Sequence, residues 1–315
     1  MTEEMGTTLF QTLKNNGQDV QCRLAEYFIC TQTGARILNV RQIANALEVS
    51  VGAVSTAMNS LETYGAIGIV KRGHMGSYLV ERRMDLLWRM AGRGPMVVAL
   101  SLPIHTRFEG LASGVKKNLE DAGMEAYLSF IRGSQTRLRA LRDSRCHLVL
   151  MSDLSAKDLD FDEYEIVCAL PEGSWLSGYG VFTNTGRKNP DAPLRVGVDP
   201  KSHDHIMLTQ MNFEGRDIEI CNVSYSNVTR MILMGEIDAI VWNQDQLAEL
   251  TGSGISFEPL SPAVGDPVIR SAKTAVFVGR RDDLVVGSAF RELICSETIM
   301  EIQKQVVALE RLPEY

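Results

Sequence analysis

The stretch Asn39-Val40-Arg41-Gln42-Ile43-Ala44-Asn45-Ala46-Leu47-Glu48-Val49-Ser50-Val51 contains two helix starts separated by a tight turn. Asn39 and Ser50 carry short polar side chains of the kind that accept from the first free N–H groups of a helix. Behind Asn39, the residues Val40, Ile43, Ala44 and Leu47 share one face at three- and four-residue spacing, and Glu48-Val49 leaves room only for a short turn. After Ser50 the pattern repeats in Val51, Val54, Met58 and Leu61, and Gly65 falls where a left-handed terminating residue is usual. Upstream, Val20, Leu24, Tyr27, Phe28 and Thr31 predict a further amphipathic helix that Gly34 ends. Downstream, Ile67 to Lys71 and Ser77 to Val80 read as two short strands around the tip Arg72-Gly73-His74-Met75-Gly76.

Three short helices followed by a basic hairpin are the parts of a winged helix-turn-helix, whose second paired helix fits the DNA major groove. Ser55, Thr56 and Asn59 lie off the apolar face, and with Ser50 at the helix start they offer hydroxyl and amide groups to base edges. Arg41, Lys71, Arg72 and His74 are placed to neutralise phosphates or to enter the minor groove from the wing. No Lys or Arg occurs between Ser50 and Tyr64. One such domain should therefore bind weakly, which predicts a homodimer engaging two half-sites of an operator. The net charge of −7 is unevenly spread: residues 1–93 carry 10 basic against 8 acidic side chains, or +2, which leaves −9 on the remainder. Nucleic-acid contacts thus belong to the first part.

From Glu81 to Ala91 the stripe Met84, Leu87, Trp88, Ala91 predicts a linker helix, which Gly92-Arg93-Gly94-Pro95 breaks. Beyond it, strands alternate with helices, the pattern of a parallel sheet covered on both faces. Met96 to Leu102, Ala126 to Ile131 and His147 to Met151, with helices at 106–122 and 134–144, form one βαβαβ unit. Leu194 to Val198, Ile218 to Val223 and Asp238 to Trp242 begin and complete a second. Glu165 to Leu170 and Tyr179 to Thr183 read as extended crossovers, Ala275 to Val278 as a return, and Leu284 to Leu309 as helices closing the first unit. The expected domains are a winged helix over 1–80, a linker helix over 81–94 and a two-lobe α/β domain over 95–315. Its first lobe spans about 95–175 and 262–315, its second about 184–258.

The segments Gly34 to Ala44, Leu47-Glu48-Val49-Ser50 and Arg72 to Tyr78 resemble the winged helix of GntR-type regulators. Leu194-Arg195-Val196-Gly197-Val198-Asp199 and Gly235-Glu236-Ile237-Asp238-Ala239-Ile240 resemble a type 2 periplasmic-binding-protein domain, the architecture of LysR-type effector domains. With Thr106-Arg107-Phe108-Glu109-Gly110-Leu111-Ala112, the whole chain looks like the YhfZ family of transcriptional regulators. The resemblance implies a DNA-binding regulator that senses a small molecule between two lobes.

In such a two-lobe fold, ligand contacts come from loops after the carboxyl ends of strands, where helix N-termini present free N–H groups. Ser101, Thr106, Arg107, Ser134, Gln135, Lys201 and Ser202 lie on such loops, and Glu172, Tyr225 and Asn243 could complete the pocket. These groups suit a carboxylate or phosphate effector. His203-Asp204-His205 is a weak metal motif without a third partner, and no phosphate loop, nucleophile elbow or cofactor motif occurs. The competing class is an enzyme on the same scaffold, using the winged domain for assembly, for which only the scattered Cys168, His105 and Glu172 offer themselves. Six cysteines without close pairing, an acidic N-terminus and no apolar run of membrane-spanning length point to a cytoplasmic protein with no membrane partner.

Overall fold

A computed structural model describes residues 19–187, 192–247, 252 and 254–315. The chain packs as two compact units: one holds the described residues up to Met96 with Leu119–Glu125 and Asp283–Ile294, the other Val97–Asn118, Ala126–Asp282 and Cys295–Tyr315. Among the described residues no helix is long and apolar enough to cross a membrane.

The first unit contains the helices Val20–Cys30, Val40–Leu47 and Val51–Thr63 and a three-stranded antiparallel sheet of β1 (Arg36–Ile37), β2 (Ile67–Lys71) and β3 (Ser77–Arg82), in the order β1-β3-β2. Asn39 Oδ1 accepts from the Gln42 N–H at 3.0 Å while the Asn39 N–H donates to Gln42 Oε1 at 2.8 Å, a reciprocal cap that fixes the start of Val40–Leu47. Glu48 ends that helix in the left-handed region at φ 58°. Two residues later Ser50 Oγ accepts from the Ala53 N–H at 3.1 Å and starts the next helix. Val51, counted on the inward face, is instead 47% exposed, and Val54, Ala57, Met58 and Leu61 form the buried face. Helical side chains lean toward the N-terminus, which carries the first residue's side chain past the edge of the packed face.

Strand β3 runs to Arg82, so the following helix is Met84–Met90 rather than 81–91. Arg82 donates to the carbonyls of Phe28, Ile29 and Thr31, satisfying the open end of Val20–Cys30, and pairs with Glu292. The helix Leu284–Leu293 lies in this first unit, against Val20–Cys30 and Met84–Met90, not on the first lobe as its place in sequence suggested. Its Val285, Val286, Ala289 and Phe290 are all buried.

The second unit holds the strands β4 (Met96–Leu100), β5 (Ala126–Phe130), β6 (Leu148–Ser152), β7 (Tyr164–Glu172), β8 (Tyr179–Asn184), β9 (Leu194–Val198), β10 (Ile218–Asn222), β11 (Ala239–Asn243), β12 (Ile255–Pro259) and β13 (Thr274–Arg280). They form two five-stranded sheets, β5-β4-β6-β13-β7 and β10-β9-β11-β8-β12. Both are mixed rather than purely parallel. β4 and β6 run parallel, as do β9, β10 and β11, but β13 is antiparallel to β6 and β7, and β8 to β11 and β12. The reversed strands are those on which the chain passes from one sheet to the other, so the extended crossovers read from the sequence are full sheet members. The fold is an α/β two-lobe domain of the type 2 periplasmic-binding-protein kind joined to a winged helix-turn-helix.

Within this unit the helices Thr106–Asp121 and Ser296–Val307 touch backbone to backbone at two glycines. A Cβ on Gly110 would lie 2.9 Å from Gln303 Cα, and one on Gly114 2.8 Å from the Ile299 carbonyl oxygen. Gly114→Ala should therefore lower stability by about 1–3 kcal/mol through overpacking. Gly52→Ala, whose new methyl group meets nothing closer than Ser50 Oγ at 3.9 Å, should raise it slightly. Urea midpoints of the two variants give the comparison, and equal midpoints would contradict the packing argument.

Candidate functional site

The winged unit presents Thr56 and Asn59 exposed and Ser55 half-buried on one side of Val51–Thr63. Ser50 is occupied as the helix cap, and Ser60 donates to Gln21 Oε1 at 2.9 Å. Arg41, Lys71, Arg72 and His74 are all exposed. The wing tip is a single tight turn, Gly73–Met75, closed by the Arg72 N–H donating to the Gly76 carbonyl at 2.8 Å. The Arg72 guanidinium lies 4.8 Å over the Tyr78 ring, which orients it along the hairpin. Pairing of β1 with β3 sets exposed Arg36 beside the tip, where a Cβ on Gly76 would lie 2.7 Å from its Nε. Sequence reading missed this basic residue because the two-residue strand that carries it has no periodicity of its own.

The second candidate is a pocket between the two lobes. Of the residues expected there, Ser101, Ser134, Lys201, Ser202 and Tyr225 line it. The others lie elsewhere. Thr106 and Gln135 are exposed on helix surfaces outside it. Arg107 is engaged by Asp245 at 3.0 Å and by the Gly173 carbonyl at 2.9 Å. Glu172 is exposed and paired with Lys273 at 2.9 Å, whose ammonium holds the carboxyl below the usual range. Asn243 is buried at the end of β11, and its side-chain atoms have no hydrogen-bond partner. Cys168, His105 and Glu172, the scattered enzyme candidates, are not among the lining residues.

Several lining residues were not among the expected ligand contacts. Arg132, after β5, donates to Asp199 Oδ2 at 2.7 Å, linking the first lobe to the second. Asp204 accepts from Ser152 Oγ at 2.8 Å and Ser155 Oγ at 2.7 Å, again across the lobes. Burial pushes the Asp204 carboxyl up, against the pull of those hydroxyls. Arg137 is 3% exposed and donates to the Ile131 carbonyl at 2.8 Å, with its guanidinium 5.9 Å over the Trp175 ring. Burial lowers its pKa to about 10. The space left for water is about 30 Å3, room for about two molecules.

The three side chains of His203-Asp204-His205 diverge. His203 Nε2 is 2.9 Å from Asp158 Oδ2, Asp204 meets the serines, and His205 stands 4.2 Å from the Trp242 ring and 5.4 Å from Tyr225. Among the described residues no group of three or more His, Cys, Asp or Glu side chains could hold a metal ion.

A winged helix-turn-helix fused to a two-lobe binding-protein-like domain defines a class of regulator-type architecture. Within it, the chain belongs to the YhfZ family. The profile of the YhfZ C-terminal domain matches residues 84–315, and that of a helix-turn-helix domain matches residues 32–79. The chain is 31% identical over 293 residues to the uncharacterized protein YhfZ of Escherichia coli strain K12, covering 93% of this chain and 95% of that one. It is also similar to the crystal structure of YhfZ from Shigella flexneri, with 27% identity, a TM-score of 0.61, and coverage of 74% of this chain and 98% of that one. A weaker likeness, with a TM-score of 0.47 and 15% identity, links 70% of this chain to 96% of the periplasmic VFT2 domain of Bordetella pertussis BvgS.

Proposed function

We propose that this protein is a cytoplasmic transcriptional regulator that binds operator DNA as a homodimer through its winged unit and releases or reshapes that contact when a small anionic effector enters the interlobe pocket. The observation that supports DNA binding most directly is the capped helix pair at Asn39 and Ser50, with exposed Thr56 and Asn59 on the second helix and a basic wing beside it. Effector sensing is supported by a pocket whose walls come from both lobes and already exchange hydrogen bonds across the gap. Closing or opening that gap is the movement by which a ligand favouring one state shifts the population.

Fluorescence anisotropy against DNA from upstream of the protein's own gene, with a scrambled control, tests the reading. Selective binding that weakens as salt rises is expected. If neither DNA binds even at low salt, the regulator reading fails. Arg72→Ala should weaken binding to both DNAs alike and flatten the log–log salt dependence by about one unit, as for one lost phosphate contact.

A further inference from the structure

The pocket is lined by three cationic side chains, Arg132, Arg137 and Lys201, against two carboxyls, Asp199 and Asp204, an excess of one positive charge. Arg132 is neutralised by Asp199 at 2.7 Å. Asp204 is spent on two serine hydroxyls. Arg137, nine-tenths buried and more, bonds through Nη1 to a backbone carbonyl, and its Nε has no partner. Three residues before it on the same helix, Ser134 is 5% exposed and its Oγ also has no partner. Both line the pocket, at the N-terminus of the nine-residue helix Ser134–Arg142. Gly133 precedes it at φ 86°, and a Cβ there would lie 2.9 Å from the Lys201 carbonyl oxygen, so only glycine lets the second lobe come this close. A buried guanidinium with an open Nε–H and a buried hydroxyl without a partner carry a cost that a bound anion would offset.

Resting on the effector reading above, we propose that Ser134 Oγ and the Arg137 guanidinium form an anion subsite for the carboxylate group of a singly charged effector, in preference to a phosphate. One negative charge balances the excess of one positive charge in the lining. A second would be brought into a pocket that already holds the Asp199 and Asp204 carboxyls. The room for about two waters suits a planar carboxylate better than a tetrahedral phosphate. Burial pulls the Arg137 pKa down, and the nearby Asp204 carboxyl offsets only part of that.

The test uses thermal unfolding of the full chain at pH 8 with sodium acetate, sodium phosphate or sodium chloride at matched ionic strength. Acetate is expected to raise Tm above chloride, and phosphate to raise it less than acetate does. Arg137→Met should weaken the acetate effect by about tenfold or more in apparent affinity. Ser134→Ala, a change of one hydroxyl, should weaken the acetate effect while leaving Tm in chloride near the parent value. A stronger effect of phosphate, no effect of acetate beyond chloride, or a full acetate response in both variants overturns the subsite. If the response survives in both and is lost in Arg132→Met, the pocket reading stands with another subsite. If it survives in all three, the pocket reading falls too.

Discussion

Replacing Arg93 with alanine is expected to destabilise the N-terminal unit by about 3–5 kcal/mol, the usual result of removing one partner of a buried ion pair. Arg93 Nε and Nη2 donate to Glu26 Oε1 at 3.1 and 2.9 Å, and its Nη1 reaches Asp283 Oδ2 at 3.4 Å. The Glu26 side chain is 6% exposed, so without the guanidinium its carboxylate would be left in the interior with no cation. Arg93 also stacks at 5.3 Å on Trp88 and so joins three separate stretches of sequence. Urea unfolding followed through the unit's tryptophan would show the loss. Replacing both partners by apolar residues, Glu26→Leu with Arg93→Met, should recover most of it, because no charge is then stranded. A single Arg93→Ala variant within about 1 kcal/mol of the parent would contradict the argument, since that is the range of an exposed pair.

The second large effect is acid sensitivity of the C-terminal unit. Burial drops the pKa of His205 from 6.5 to about 4, and the ring nitrogens have no hydrogen-bond partner among Trp242, Tyr225 and Tyr179. The unfolded chain therefore binds a proton on this histidine more readily than the folded one. The stability it confers is complete above pH 6.5 and is lost as pH falls toward 4, at about 1.4 kcal/mol per pH unit. His105, also pulled down to about 4 by burial, acts in the same direction. Asp204, whose carboxyl is pushed up by burial, acts in the opposite direction and returns part of the loss. Urea midpoints measured from pH 7.5 down to 4.5 should fall steeply below 6.5, and His205→Phe should flatten that decline by roughly half. An unchanged decline in His205→Phe would remove His205 as its source.

Local signals explain what could be read in advance. Asn39 and Ser50 cap the helices their side chains promised, because capping is settled within three residues. The alternation of strands and helices revealed two lobes for a similar reason: the central strands β6, β11 and β13 carry continuous apolar runs. What escaped notice depends on distant partners. Nothing around Arg137 marks it as buried, since helix Ser134–Arg142 carries three arginines and only the position facing Trp175 is enclosed. Glu172 and Arg107 were placed in the pocket by their position after a strand or at a helix start, but Lys273 and Asp245, far along the chain, hold them elsewhere. The strand direction within each sheet is likewise invisible until it is known where the chain crosses over.

The helix Leu284–Leu293 gives the first unit part of its core from the far end of the chain, and the short stretch Leu119–Glu125 gives it another piece. A fragment ending near Pro95 would leave the faces of Val20–Cys30 and Met84–Met90 uncovered, and a fragment starting there would leave Val285, Val286, Ala289 and Phe290 without cover. The first unit is assembled from three separate stretches of the chain rather than from its N-terminal part alone. Exchange at a single genetic crossover, the route by which tandem cassettes are traded between regulators, would break this protein at both ends of the exchange. Transferring the surface of Val51–Thr63 and the wing to another protein would require resurfacing that protein in place.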